Sequence, residues 1–295
     1  MRVVVIGAKG QLGSDLVKVL SGQVVGALKQ SDLDIRDAAR VREVLSRLKP
    51  DAVVNTAAFN RVDDCEDDPA TAFSVNAYGP RNLARVCAEV NCVLMHISTD
   101  YVFGGEKRSP YTEDDSPNPL SVYGTSKLAG EYFVRNACPR HFVVRTSGLY
   151  GVAGSRGKGG NFVETMIRLA REGKPVRVVD DQVLTPTYTK DLAEKLEQLL
   201  RTDRYGLYHI TNSGQCSWYE FAAKIFALTN LRPDFASTTS EAFGSKARRP
   251  AYSVLESERL RRAGFRPLNS WEEALGNYLA ERTAVLNPAP GSSPR

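Results

Sequence analysis

Val3-Val4-Val5-Ile6-Gly7-Ala8-Lys9-Gly10-Gln11-Leu12-Gly13 decides the fold. Four apolar residues in succession suit a strand buried on both faces. Gly7, Gly10 and Gly13 follow, and Ser14 to Leu20 reads as a helix. Glycines at a strand-to-helix corner allow a tight turn, close backbone approach to a pyrophosphate, and tight helix–strand packing. The helix N-terminus then faces the phosphates. The spacing is G-x-x-G-x-x-G rather than G-x-G-x-x-G, so its position between first strand and first helix carries the reading. A tight turn without a ligand is the other use of such residues.

Outward from this corner, Gln23 to Leu28 reads as a second strand and Asp37 to Leu48 as a helix. Ala52-Val53-Val54-Asn55 reads as a third strand. A site selective for NAD often has an acid at the end of the second strand. Here Lys29-Gln30 comes first, and Asp32 and Asp34 come later. A lysine there would welcome a 2′-phosphate, which favours NADPH and leaves NADH open. Ala70 to Val90 reads as one long helix, Cys92 to Ser98 as a buried strand, and His141 to Ser147 as another. Alternation continues through Asn161 to Glu172, Val176 to Val179, Lys190 to Leu200, Tyr208 to Thr211 and Ser217 to Leu228. The fold class expected is therefore α/β, a Rossmann-like doubly wound parallel sheet. Helices are expected at Ser257 to Ala263 and Trp271 to Arg282, with a disordered tail over 283–295.

The chain has 295 residues, 42% hydrophobic and 25% charged, which suits a globular α/β protein. A net charge of +5 fits phosphorylated ligands but is too small and dispersed for nucleic acid. The five cysteines are scattered and lack metal-ligand spacing, so reduced thiols in a cytoplasmic protein are expected. No signal segment or membrane-spanning run is read. The acidic residues Asp63, Asp64, Glu66, Asp67 and Asp68 read mostly as capping and solvation. His96 reads as a core histidine.

Two stretches carry chemistry. Ser98-Thr99-Asp100-Tyr101-Val102-Phe103 ends a central strand, where open sheets bind ligands. Tyr123-Gly124-Thr125-Ser126-Lys127 puts a phenol and an ammonium on one helix face. Such an ammonium is expected to lower the phenol's pKa from about 10, so that it trades a proton with a substrate oxygen.

Gly7-x-x-Gly10-x-x-Gly13, Asn55-x-Ala57-Ala58, Ser98-Thr99-Asp100 and Tyr123-x-x-x-Lys127, in that order, resemble the extended short-chain dehydrogenase/reductase superfamily. Within it the chain is most similar to the dTDP-4-dehydrorhamnose reductase family. Asp181-Gln182, Pro186-Thr187, Gly206 to His209, Trp218 to Ala222 and Arg248-Arg249-Pro250 extend the similarity to about residue 281. The resemblance implies reduction of the C4 ketone of dTDP-4-dehydro-β-L-rhamnose by NADPH. Thr99, Tyr123 and Lys127 would be catalytic. Gly7, Gly10, Gln11, Leu12, Gly13, Lys29, Asp34, Ile35, Ala57, Ala58, Asn76, Tyr123 and Lys127 would line the cofactor. Asp100, Tyr101, Asn161, Phe162, Gln182 and Arg248 would line the dTDP-sugar, with Arg249 a second fork for its diphosphate.

The resemblance also implies an NADP-binding domain over 1–150 with return segments near 183–203. A smaller C-terminal α/β substrate-binding domain would comprise 151–182 and 204–282, and a homodimer is a family expectation. Two departures stand out. Gly148 replaces a tryptophan common in relatives, which leaves the sugar and its C4 stereochemistry open. Lys190 replaces an acid that holds a metal in some relatives, so no metal is expected. Alternatives are another nucleotide-sugar 4-ketoreductase, such as one forming 6-deoxy-L-talose, and a non-catalytic NADP-binding regulator like the β subunit of methionine adenosyltransferase.

Overall fold

The computed structural model describes residues 1–154 and 160–286. Strands β1 (Val3–Ile6), β2 (Val24–Leu28), β3 (Ala52–Asn55), β4 (Val93–Thr99) and β5 (His141–Thr146) lie parallel in one sheet. Strand Gly206–His209 completes it beside β5. The order across the sheet is β2-β1-β3-β4-β5 and then Gly206–His209. The chain thus winds one way from β1 to β2 and the other way from β3 onward. That reversal opens a crevice at the carboxyl ends of β1 and β3.

Why β1 reads as an unbroken apolar run is visible in its packing. Val3 and Val5 enter one core with Leu12 and Leu16 of helix α1 (Gln11–Val19) and Leu192 and Leu196 of helix Thr189–Leu200. Val4 and Ile6 enter the other core, with Val41 and Leu45 of α2 (Ala38–Leu48). Each fully buried Val, Leu or Ile contributes roughly 1.5–3 kcal/mol of transfer free energy. A third cluster lies off the sheet. It joins Val163 and Ile167, Phe221 and Ile225, and Trp271 and Tyr278, from helices Phe162–Arg171, Trp218–Thr229 and Trp271–Leu286. Among the described residues no helix is long and apolar enough to cross a membrane.

Several elements differ from the sequence reading. Helix α1 starts at Gln11, so Gly13 lies in its first turn, and a Cβ there would collide with the Gly7 carbonyl. The long helix expected over 70–90 is interrupted. After the short helices α3 (Val62–Asp67) and α4 (Pro69–Phe73), a π-helical turn, Ser74–Tyr78, precedes α5 (Gly79–Glu89). Pro80 has no N–H to donate, and its ring displaces the carbonyl four residues back, that of Asn76. That carbonyl faces Gly130 of α6 (Val122–Ala137), where a Cβ would collide with it.

The tail expected from residue 283 is corrected over its first four residues. The C-terminal helix runs on to Leu286, with the Thr283 hydroxyl donating to the Leu279 carbonyl at 2.9 Å. Nothing in Ala284-Val285-Leu286 stops a helix, and the first breaker is Pro288. Residues 287–295, and 155–159 of the basic glycine-rich loop, lie outside the described residues. Strands Val183–Leu184, Cys216–Ser217 and Phe235–Thr238 were not read from the sequence. They are two to four residues long, too short for a periodic signal.

One buried ion pair ties α6 to the sheet. Arg145 on β5 forks onto Glu131 at 2.7 Å, with both side chains almost wholly buried. Ser98 on β4 donates to Glu131 at 2.5 Å, and Arg145 lies 5.1 Å over the Phe103 ring. His209 receives the Arg145 Nη1 at 3.4 Å on its Nε2 and donates from Nδ1 to the Tyr111 carbonyl at 3.0 Å. Burial and the neighbouring Arg145 hold its pKa down to about 3, so the ring stays neutral. Arg145→Met would strand the Glu131 carboxylate in the core. A loss of about 3–5 kcal/mol is expected in urea unfolding near neutral pH.

Candidate active site

The glycine corner is built for close approach. Gly7 sits at φ +80°, and a Cβ there would lie 2.5 Å from Thr56 Oγ1. Thr56 donates to the Ile6 carbonyl at 2.8 Å, which draws the ends of β1 and β3 together. Asn55 accepts from the Ala57 N–H at 3.1 Å and donates to His96 Nδ1, also at 3.1 Å. His96 is a core histidine, as expected, and burial keeps it neutral. The first-turn N–H groups of α1 have no intrahelical partners and provide an anion-binding face. A dinucleotide pyrophosphate fits this corner of small residues.

The other residues assigned to the cofactor divide into two groups. Lys29 follows β2, and the small Ala57 and Ala58 follow β3. Asp34 does not present a free carboxylate, because Arg36 forks onto it at 2.6–3.0 Å and lowers its pKa. Ile35 is a core side chain lying against Gly79. Gln11 accepts from the Gly151 N–H at 3.0 Å, so its amide links α1 to the chain after β5. Asn76 clamps Phe59 through both N–H and carbonyl and donates to Ser126. The side chains of Ile35, Gln11 and Asn76 thus shape the crevice through packing and internal hydrogen bonds.

At the end of β4, Thr99 donates to Asp100 Oδ1 at 3.0 Å and accepts the Tyr101 N–H at 3.2 Å. Asp100 is buried and also accepts Ser147 at 2.8 Å and Ser253 at 2.6 Å. Burial raises its pKa, against the pull of the three hydroxyls. Tyr123 lies beside Thr99, whose own proton is committed to Asp100. Gly124 lets α6 press on the Tyr101 carbonyl, where a Cβ would collide, and the Tyr101 and Tyr123 rings meet edge-on at 5.8 Å.

The expected lowering of the Tyr123 pKa by Lys127 is corrected. Its surroundings raise the phenol pKa by desolvation, and the neighbouring Thr99 only partly offsets this. Lys127 instead donates to the Ile97 carbonyl at 2.6 Å, and burial lowers its pKa to about 8 despite Glu131. The phenol therefore stays protonated at neutral pH, as a proton donor requires.

A cavity of about 440 Å³ is lined by Gly104, Leu120, Gln182, Ser240, Arg248 and Arg249 among others. Gln182 donates to Ser240 at 2.8 Å at its wall. Asn161 and Phe162, expected near the sugar, do not line this cavity. Asn161 is the buried N-cap of helix Phe162–Arg171 and donates to the Gly151 carbonyl and Tyr278. Phe162 packs against Trp218 at 4.6 Å. Gly148 has φ +56°, and a Cβ there would lie 2.9 Å from Leu184 Cδ1. Lys190 faces Glu281, which also meets Lys18 and the Tyr188 hydroxyl.

The acidic run was only partly read. Asp68 caps α4, but Asp63 forks onto Arg249, Glu66 accepts the Val122 N–H, and Asp67 pairs with Lys246. Ser147 and Ser253, which hold Asp100, were missed as well. Their only local signal is position: one residue past β5, and three past Pro250.

The chain matches the family described as the RmlD substrate binding domain over residues 1–284. It is 44% identical to the spore coat polysaccharide biosynthesis protein SpsK of Bacillus subtilis, covering 97% of this chain and 99% of that one. It is also 44% identical to a dTDP-4-dehydrorhamnose reductase of Streptomyces griseus, covering 93% and 91%. A solved dTDP-4-dehydrorhamnose reductase from Bacillus anthracis, in complex with NADP, superposes with TM-score 0.91 at 40% identity, covering 95% and 99%.

Asp100→Asn should lower kcat roughly 10–100-fold, the cost of misaiming a reacting group, with KM little changed in steady-state assays. Lys127 also sets a pH signature. Its folded pKa near 8 lies below the ordinary 10.5, so between these values the unfolded chain holds more protons at this residue. Unfolding stability relative to Lys127→Met should therefore rise from pH 8 toward 10.5. A flat difference would contradict this titration.

Proposed function

Since this chain belongs to the RmlD substrate binding domain family, we propose that it is a cytoplasmic enzyme that reduces the C4 ketone of dTDP-4-dehydro-β-L-rhamnose to dTDP-L-rhamnose. The observation that carries the reading is the buried Tyr123 phenol, kept neutral by desolvation, beside Thr99 at the carboxyl end of β4. NADPH, when bound, supplies the hydride. The backbone of Gly7, Gly10, Leu12 and Gly13 would hold its pyrophosphate, with Ala57 and Ala58 beside it. Lys29 is positioned after β2 to favour a 2′-phosphate. Arg36 favours the same choice by neutralising Asp34, whose bare carboxylate would repel that phosphate.

The chain's own residues manage the proton and the oxygen. As negative charge grows on the ketone oxygen, Tyr123 delivers its phenolic proton there. Thr99, aimed by Asp100, keeps the phenol in register beforehand. Lys127 would hold the nicotinamide ribose, and its ammonium would favour the phenolate left after transfer. Arg248 and Arg249 would take the diphosphate of the sugar nucleotide, with Gln182 at the cavity wall. In this division, the sheet carries the cofactor, and the region after residue 150, apart from its return segments, carries most of the sugar contacts.

A second reading keeps the chemistry and changes the sugar. Gly148 has a left-handed backbone, and Leu184 fills the place a side chain would take. Without a bulky side chain there, the same ketosugar could sit with its other face toward the nicotinamide and give 6-deoxy-L-talose. NADPH oxidation with dTDP-4-dehydrorhamnose, followed by NMR of the product, separates the two readings. Tyr123→Phe should lose about 10²–10⁴-fold in kcat while retaining NADPH affinity. No turnover of any dTDP-4-ketosugar by the unaltered chain would sink both readings.

A further inference from the structure

Arg248 and Arg249 line the same cavity but are held differently. Arg248 is exposed and makes no ion pair or hydrogen bond among the described residues. Arg249 is tethered to α3. Its Nη2 donates to Asp63 Oδ2 at 2.7 Å and its Nη1 to Oδ1 at 3.3 Å. The same carboxylate accepts the Ala247 N–H at 2.9 Å, while Arg249 Nη1 donates to the Ala247 carbonyl at 3.2 Å. One acid thus fixes a backbone N–H and a guanidinium two residues apart, and with them the curvature of the loop.

We propose that Asp63 is a positioning residue for the sugar-nucleotide diphosphate: it sets the Arg249 fork and the Arg248 loop at the cavity before ligand arrives. The proposal rests on the reductase reading above. A fork matched to a carboxylate has the geometry that also suits a phosphate. Preorganising it lowers the ordering cost of binding. Asp63 is 44% exposed and Arg249 19% exposed, so the pair contributes little to global stability. Its effect belongs in ligand affinity.

The post that Asp63 stands on also reaches the proton donor. Glu66, one turn along α3, accepts the N–H of Val122 at 2.8 Å, the residue before Tyr123. Arg249 also lies beside Tyr101, whose ring meets that of Tyr123 edge-on. One six-residue helix therefore braces both the anion-binding loop and the start of the catalytic helix.

The test is calorimetric titration of the full chain with dTDP, with NADPH affinity measured on each variant. Asp63→Asn should weaken dTDP binding roughly 5–10-fold and leave NADPH binding unchanged, as loss of one charge-assisted pairing predicts. Asp64→Asn removes the same charge from a residue paired with Arg61, and should leave dTDP affinity unchanged. Arg249→Lys keeps the charge without the fork and should match Asp63→Asn. The double variant should bind no more weakly than either single one. Unaltered or tighter dTDP binding in Asp63→Asn, equal effects of Asp63→Asn and Asp64→Asn, or additive losses with Arg249→Lys would each overturn the proposal. An unaltered chain without dTDP affinity would remove the reductase reading, and this proposal with it.

Discussion

The buried pair between Arg145 and Glu131 is the constraint on which the site depends. A charge pair in the interior is tolerated only when every remaining polar atom is also satisfied. Here that requirement recruits Ser98 from β4 and His209 from the last sheet strand, while Phe103 packs against the guanidinium. Glu131 lies one helical turn beyond Lys127 on α6. Satisfying the pair fixes how α6 meets the sheet, and so where Tyr123 stands relative to Thr99. The contact is tight enough to demand glycine at 124, against the Tyr101 carbonyl, and at 130, against the carbonyl that Pro80 frees.

Electrostatics within that frame run opposite to the simplest expectation. Tyrosine and lysine four residues apart suggest a phenol made acidic by its neighbour. The ammonium instead settles on the Ile97 carbonyl, below the active face, and the phenol sits where desolvation favours its neutral form. The phenol is thus held in its protonated form.

What could be read from sequence was what is local. The βα corner, the strand-end Ser98-Thr99-Asp100 and the Tyr123–Lys127 pair each declare themselves within a few residues. Their order along the chain was enough to identify sheet and cofactor class and to propose a proton donor. The interruption at residue 74 was also written locally, in Pro80, but the apolar period around it concealed the break. The rest depends on distance. Asp63 meets Arg249 across 186 residues, and Asp100 meets Ser253 across 153. Nothing near Asp63 distinguishes it from its acidic neighbours, and only the folded topology does so. Asn76 and Asn161 show the converse: polar residues near motif positions that proved to be internal braces.

Gly148 has a consequence for how this chain can change. A bulky residue there faces two obstacles at once, a left-handed backbone and an occupied space beside Leu184. Either obstacle alone could be relieved by one substitution elsewhere, but together they make the position epistatic. Placing a side chain at this point requires the backbone and Leu184 to move in concert. Evolution toward a different sugar would more readily proceed through the cavity walls at Gln182 and Ser240, where side chains meet through a single hydrogen bond.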